Sequence, residues 1–111
     1  MLKKVLIIDD ETDSCHLLKA FLTQLGFEAH VAFTLREGLK LMSDICPGII
    51  FLDNNLPDGL GWDQIDYIQS SLPDCKINLI SAYEYNSHKL SGRGVKVIEK
   101  PISLSKLKTY L

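Results

Sequence analysis

The stretch of sequence that decides the fold runs Ile49-Ile50-Phe51-Leu52-Asp53-Asn54-Asn55-Leu56-Pro57-Asp58-Gly59. The four apolar residues at its start predict a strand buried on both faces, which is typical of the centre of a parallel sheet. This strand ends at the carboxylate of Asp53, and the Leu-Pro-Asp-Gly sequence that follows turns the chain away. Ligands of open α/β sheets bind at the carboxyl ends of the strands. We therefore expect Asp53 at a ligand-binding edge.

The composition is that of an ordinary globular domain. Of 111 residues, 46% are apolar and 23% are charged, so we expect one domain over residues 1–111. The net charge of −2 provides no basic field for nucleic acid. No apolar run is long enough to cross a bilayer, and because the predicted first strand begins almost at once, we expect no secretory leader. Cys15, Cys46 and Cys75 have unrelated spacings, which predicts buried, reduced thiols in a cytoplasmic protein.

Strands and helices alternate along the whole chain. The predicted strands are residues 3–8, 27–31, 49–53, 76–80 and 95–98. Apolar residues at helical spacing lie between the first four, and a last short helix is expected to be capped by Ser103 or Ser105. This alternation predicts an α/β fold, a doubly wound five-stranded parallel sheet with helices on both faces.

The starts of the first two helices carry capping signals. Thr12 or Asp13 is expected to cap the first helix, whose apolar stripe begins at Leu17. Thr34 and Glu37 form a capping box at the start of the second helix, with the hydroxyl accepting from an early backbone N–H. We therefore expect both helices to begin close to these residues.

Polar residues suited to phosphoryl chemistry follow four of the five strands. They are Asp9-Asp10, Asp53, Ser81 and Lys100. The ends of parallel strands share one edge of a sheet, so these side chains should converge. Two carboxylates ~4 Å apart repel by about 4 kcal/mol at an effective dielectric constant near 20, so such a cluster needs a cation. Oxygen ligands without nearby Cys or His predict Mg²⁺ or Mn²⁺.

These groups also match the needs of a transferred phosphoryl group. Its charge spreads over three equatorial oxygens, which a metal ion, the Lys100 ammonium and the Ser81 hydroxyl could each contact. Asp53 would be the nucleophile and would form an acyl phosphate.

Across nearly its whole length the chain resembles the receiver domain of two-component response regulators. The residues that carry the resemblance are Asp9-Asp10-Glu11, the stretch from Leu52 to Gly61, Ser81-Ala82 and Lys100-Pro101. The resemblance implies a flavodoxin-like sheet of order 2-1-3-4-5. It also implies a cytoplasmic signalling domain, not an enzyme, that accepts phosphate on Asp53 from a histidine kinase or phosphotransfer protein and switches the binding of a downstream protein.

The resemblance further assigns the roles of the other site residues. Mg²⁺ would be bound by Asp10 and Asp53, with Asp9 acting largely through water and the backbone carbonyl of Asn55 completing the site. Ser81 would be the switch hydroxyl, and Lys100 would contact the phosphate. Receivers usually have a cis peptide bond before the proline, which implies one between Lys100 and Pro101. Residues two positions past the aspartate and the serine, Asn55 and Tyr83, would tune the phosphate lifetime.

Two features depart from the family pattern. Receivers usually carry Tyr or Phe two or three residues before the lysine, but this chain has Val97 and Ile98 there. The interval from Ser81 to Lys100 is also shorter than usual, which predicts a short or irregular fourth helix. Both changes affect the face that receivers use for output.

Two other functions remain open from the sequence. One is a pseudo-receiver that binds a partner without phosphorylation, which the absent aromatic residue favours. The other is a small Mg²⁺-dependent phosphohydrolase, although the chain has no insertion with which to build a substrate pocket. The chain is either a stand-alone receiver or part of a longer regulator.

Overall fold

The computed structural model describes residues 2–82 and 94–111. Its strands are β1 (Lys4–Ile8), β2 (Glu28–Ala32), β3 (Ile49–Asp53), β4 (Asn55–Leu56), β5 (Gly59–Leu60), β6 (Lys76–Ser81) and β7 (Val95–Glu99). Its α-helices are α1 (Thr12–Gln24), α2 (Leu35–Ile45) and α3 (Ile65–Ser71). Within the described residues, 3-10 helices span Gly61–Gln64 and Leu104–Tyr110.

Five of the strands form the predicted parallel sheet, in the order β2-β1-β3-β6-β7. Every neighbouring pair is parallel, and β3 lies at the centre. Leaving aside the two strands of the small hairpin β4–β5, this is the order 2-1-3-4-5, so the predicted fold is confirmed. In the register, Ile80 lies opposite Asp53, and Ser81 lies opposite Glu99.

Apolar clusters cover both faces of the sheet. On one face, α2 and α3 contribute Leu35, Met42, Ile65 and Ile68 against inward residues of β1, β3 and β6. On the other face, α1 and the C-terminal 3-10 helix contribute Cys15, Leu18, Leu22 and Leu107. All five residues of β3 are therefore buried, as its continuous apolar run predicts.

The capping box of α2 is confirmed in its first half. The Thr34 side chain accepts a hydrogen bond from the Glu37 amide at 3.1 Å. The cap expected for α1 is wrong, because Glu11 occupies the N-cap position and Thr12 is already helical. The Glu11 amide instead donates to Asp9 Oδ1 at 3.0 Å, so a residue of the acidic cluster shapes this turn.

Leu17 does not belong to the buried stripe of α1. The residue is 59% exposed, while Leu18 and Leu22 are buried against the sheet. A helix that packs against a sheet along one side leaves the margin of its apolar stripe in solvent, and Leu17 lies at that margin.

The last helix differs from the expected capped helix. It is a 3-10 helix with Ser103 at its N-cap position and no side-chain capping bond, because Ser103 Oγ and Ser105 Oγ hydrogen-bond to each other at 2.8 Å. Its far end is held by the sheet: Asn78 Nδ2 donates to the Tyr110 carbonyl at 3.0 Å.

The cysteines are free, as expected, but they are not all buried. Cys15 is buried, Cys75 is half-buried and Cys46 is exposed. Cys46 ends α2 in a left-handed conformation with φ 49°, which places it in the surface connection to β3. Burial raises the pKa of Cys15 to about 12 and that of Cys75 to about 11, so both are thiols at neutral pH.

The expected short fourth helix and Tyr83 lie outside the described residues. Among the residues that are described, no helix has the length and apolar character needed to span a membrane.

Candidate phosphoacceptor site

Asp53 lies at the carboxyl end of the central strand with its side chain only 1% exposed. Both carboxylate oxygens accept hydrogen bonds. Lys100 Nζ donates to Oδ2 at 3.1 Å, and the backbone amide of Asn55 donates to Oδ1 at 3.1 Å. The predicted contact between Lys100 and Asp53, which are 47 residues apart, is therefore present.

Two further carboxylates lie beside Asp53. Asp9, Asp10 and Asp53 each present an oxygen within 4.8 Å of the others. Asp9 is buried and Asp10 is exposed, so the cluster is open to solvent on one side. Burial and, to a smaller degree, the charge of Asp53 raise the pKa of Asp9 to about 6, against the lowering effect of the hydrogen bond from the Glu11 amide.

Lys100 is placed by the backbone that follows β7. Its amide donates to the Ser81 carbonyl at 2.8 Å, which extends the pairing of β6 and β7 by one residue. The expected cis peptide bond between Lys100 and Pro101 is confirmed. Burial lowers the pKa of the Lys100 ammonium, but the hydrogen bond and charge of Asp53 outweigh it, so the net shift is upward and the group stays cationic.

Ser81 is the last residue of β6 and is fully buried. It lies one position beyond Ile80, the residue opposite Asp53 in the register. The structure therefore brings Ser81 to the same edge of the sheet as Asp9, Asp53 and Lys100.

The donor set fits a small, hard divalent cation. The three carboxylates supply only oxygen, at spacings that one ion could bridge. Two carboxylates in one site oppose each other's ionisation: burial is the main cause of the raised pKa of Asp9, the charge of Asp53 adds to it, and the Lys100 ammonium opposes it. The residues Asp9, Asp10 and Asp53 would hold the ion.

The sequence did not single out Asn54, which anchors the loop after β3. Its side-chain carbonyl accepts from the Trp62 amide at 2.9 Å, and its backbone bonds Ile80 and Gly61. Gly61 must lack a side chain here, because a Cβ atom would lie 2.5 Å from the Asp53 carbonyl oxygen. These pairings span up to 26 residues and leave no local pattern in the sequence.

Asp58 was predicted only as a turn residue, but it has a second contact. Its carboxylate accepts from the backbone amides of Leu35 and Arg36 at the start of α2. The preference of Asp for helix N-termini could have indicated such a role, but nothing in the sequence names the distant helix.

A cleft of about 290 Å³ lies beside the acidic cluster. Its walls come from α1 and from the segment after β7, and they include Cys15, Leu17, Lys100 and Leu104. Cys15 Sγ donates to the Asp9 carbonyl at 3.2 Å, which ties α1 to the end of β1. The cleft thus places apolar side chains next to the charged groups around Asp53.

The fold, and the acidic cluster at the carboxyl edge of its sheet, are those of a phosphorylation-type signalling domain. A model of the response regulator receiver domain matches residues 5–111, so the chain belongs to that family. The chain is 29% identical over 109 residues to the response regulator protein PilR of Pseudomonas aeruginosa. It is 32% identical over 108 residues to the sensor histidine kinase AtsR of Burkholderia thailandensis.

These relatives are much longer proteins. The alignments cover 96% and 92% of this chain but only 24% of PilR and 18% of AtsR. The resemblance to them is therefore a resemblance to one part of each.

Solved receiver structures superpose closely on the chain. A CheY-like receiver domain protein from Methanospirillum hungatei has a TM-score of 0.89 at 26% identity, covering 98% of this chain and 90% of that one. The response regulator TrrA of Thermotoga maritima, solved in complex with Mg²⁺-BeF, has a TM-score of 0.82 at 28% identity. That match covers 99% of this chain and all of TrrA.

Proposed function

We propose that residues 1–111 form one receiver unit in which Asp53 accepts a phosphoryl group from a histidine kinase or a phosphotransfer protein. The observation that carries the proposal is the bond of 3.1 Å between Asp53 and Lys100, within the cluster that Asp9 and Asp10 complete. Three carboxylates gathered beside the Lys100 ammonium at one edge of the sheet serve phosphoryl transfer better than they serve stability, because the like charges of the carboxylates repel one another.

In the proposed reaction, an oxygen of Asp53 attacks the phosphorus atom of the donor. The bond between phosphorus and the donor nitrogen breaks, and the leaving imidazole takes the electron pair, so an acyl phosphate forms on Asp53. Lys100 pairs with the charge on one phosphoryl oxygen, and the Ser81 hydroxyl donates to another. The Asn55 amide holds the carboxylate in a fixed orientation before the attack.

A divalent cation completes the proposed site. Asp9, Asp10 and Asp53 would bind Mg²⁺, or Mn²⁺, with Asp9 acting largely through water and the Asn55 carbonyl as a further ligand. The ion supplies the positive charge that the transferred group and the carboxylates require. The Mg²⁺-BeF complex of TrrA, a structural neighbour, supports this choice.

The phosphodonor would approach over the cleft between α1 and the segment after β7. Exposed Leu17 and half-buried Leu104 line this cleft beside Lys100 and offer the donor an apolar surface. Phosphorylation would then shift a pre-existing equilibrium of the neighbouring loops and change the binding of a downstream protein.

The output face supports an unusual readout or a pseudo-receiver. Val97 and Ile98 occupy the positions where receivers usually carry Tyr or Phe. Ile98 is buried in one core cluster and Val97 packs against the other, so neither position offers an aromatic side chain that could turn inward. A pseudo-receiver would keep this fold and bind its partner without phosphate.

Intact mass separates the two functions. After incubation with acetyl phosphate and Mg²⁺, the wild-type protein should gain the mass of one phosphoryl group, and a chelator should prevent the gain. Asp53→Asn is the matched control, since it keeps the size of the side chain and removes the nucleophile. An unmodified wild-type protein would favour the pseudo-receiver.

A further inference from the structure

The turn after the phosphoacceptor strand is bound to a helix that begins 23 residues earlier in the chain. Asp58 Oδ1 accepts from the Leu35 amide at 2.8 Å, and Oδ2 accepts from the Arg36 amide at 3.0 Å. One carboxylate thus satisfies two of the amides that the start of α2 leaves without a partner inside the helix. The bonds from Arg36 and Leu35 lower the pKa of Asp58, so its carboxylate is ionised at neutral pH.

The same turn closes the hairpin that carries the Asn55 amide. Asn55 pairs with Leu60, and Leu56 pairs with Gly59, so Asp58 lies in the turn between β4 and β5. A hairpin of two-residue strands is not stable by itself, and its position depends on what holds its turn. Because the Asn55 amide donates to Asp53 Oδ1, the position of this hairpin sets the geometry of one of the hydrogen bonds that orient the Asp53 carboxylate.

We propose that Asp58 is a positioning residue for phosphoryl transfer, which ties the β4–β5 hairpin to α2 and thereby holds the Asn55 amide against Asp53. The effect on phosphoryl transfer rests on the proposed function, whereas the effect on the Asn55 amide does not. Asp58 acts through the hairpin and does not contact the phosphoryl group. Groups that orient the residues around a metal or phosphate typically change affinity or rate by about 10- to 100-fold when they are removed.

The test compares two caps of the same helix. Asp58→Ala removes the two bonds to the Leu35 and Arg36 amides, and Thr34→Ala removes the bond from Glu37 at the same end of α2. Both variants lose a helix cap, so both should lower the urea midpoint. Only Asp58→Ala should slow phosphoryl uptake from acetyl phosphate at subsaturating Mg²⁺, by about tenfold. Asp44→Asn removes an exposed carboxylate from the other end of α2 and should keep the wild-type rate.

Amide hydrogen exchange supplies a readout that does not depend on phosphorylation. In the metal-free protein, the Asn55 amide should exchange about tenfold faster in Asp58→Ala than in Thr34→Ala. If the wild-type protein takes up no phosphate but this difference is present, the proposed function fails and the tie between hairpin and helix stands. Equal uptake rates in the two variants, in a protein that does accept phosphate, overturn the role in transfer. Equal exchange of the Asn55 amide overturns the tie itself.

Discussion

At the scale of single residues, the site combines carboxylates that repel one another with an ammonium that attracts them. Asp53 is buried and receives hydrogen bonds from Lys100 and Asn55, so its carboxylate is well satisfied. Asp9 also accepts a hydrogen bond, from the Glu11 amide, but burial and the neighbouring charge of Asp53 disfavour its ionised form and raise its pKa. A cation bound beside Asp9 would stabilise this charge.

The pKa of Asp9 makes a prediction about stability and pH. The pKa is about 6 in the folded protein and 3.8 for the ordinary group. The folded state therefore holds this proton more tightly, and the resulting stability is present in full below pH 3.8 and is lost as pH rises through about 6. In metal-free protein, urea unfolding across this range should show this loss in wild type but not in Asp9→Asn.

The same proton should compete with the metal. Below about pH 6 one proton must leave Asp9 when the ion binds, so the apparent Mg²⁺ affinity should fall about tenfold per pH unit. Calorimetric titration with Mg²⁺ measures this directly. A Mg²⁺ affinity that does not change between pH 3.8 and about 6 would show that Asp9 takes no part in binding the ion.

At the scale of elements, the sequence predicted those whose signals are local. The four apolar residues before Asp53 define β3, and the Thr34 hydroxyl caps α2 as its motif indicates. The hairpin β4–β5 was missed, because strands of two residues have no periodicity to detect. The contact of Asp58 with Leu35 was missed because it depends on how the hairpin folds back onto α2, which no local pattern encodes.

The approach of Gly61 to β3 predicts a specific defect. A methyl group at this position would meet the Asp53 carbonyl oxygen at 2.5 Å and Leu52 Cγ at 2.9 Å. Gly61→Ala should therefore destabilise the protein by about 1–3 kcal/mol and slow phosphoryl uptake, since the backbone of Asp53 must shift.

Gly48→Ala is the matched control for this substitution. The nearest atoms to its methyl group would belong to the flexible side chain of Lys3, with Cε at 3.1 Å, so its effect should be small. Urea midpoints and uptake rates measure both variants. A Gly61→Ala protein that matches Gly48→Ala in both would contradict the proposed close packing against Asp53.

At the scale of the whole molecule, the parallel sheet brings residues that are distant in the sequence close together in space. Asp9, Asp53, Ser81 and Lys100 belong to four different strand ends, and the parallel order of the sheet brings them to one edge. This convergence followed from the sequence because strand ends and alternation are local signals. The exposure of Leu17 and Cys46 did not follow, because it depends on how each helix meets the sheet.

The aliphatic residues of β7 predict how the molecule responds as a whole. With Val97 and Ile98 packed into core clusters, a beryllofluoride and Mg²⁺ complex should shift amide signals near Asp53, Ser81 and Lys100 far more than those of residues 102–111. Amide spectra with and without the phosphoryl mimic measure this. Large shifts throughout residues 102–111 would show that a conventional far-reaching switch operates despite the missing aromatic residue.

Locating the phosphoryl group on the chain tests the central claim most directly. An acyl phosphate on aspartate is reduced by borohydride to homoserine, which marks the modified position for peptide mass mapping. After treatment with acetyl phosphate and Mg²⁺, we expect the mark at residue 53 alone, and none when Mg²⁺ is removed. A mark at another residue, or equal marking at residue 53 without a divalent ion, would contradict the account.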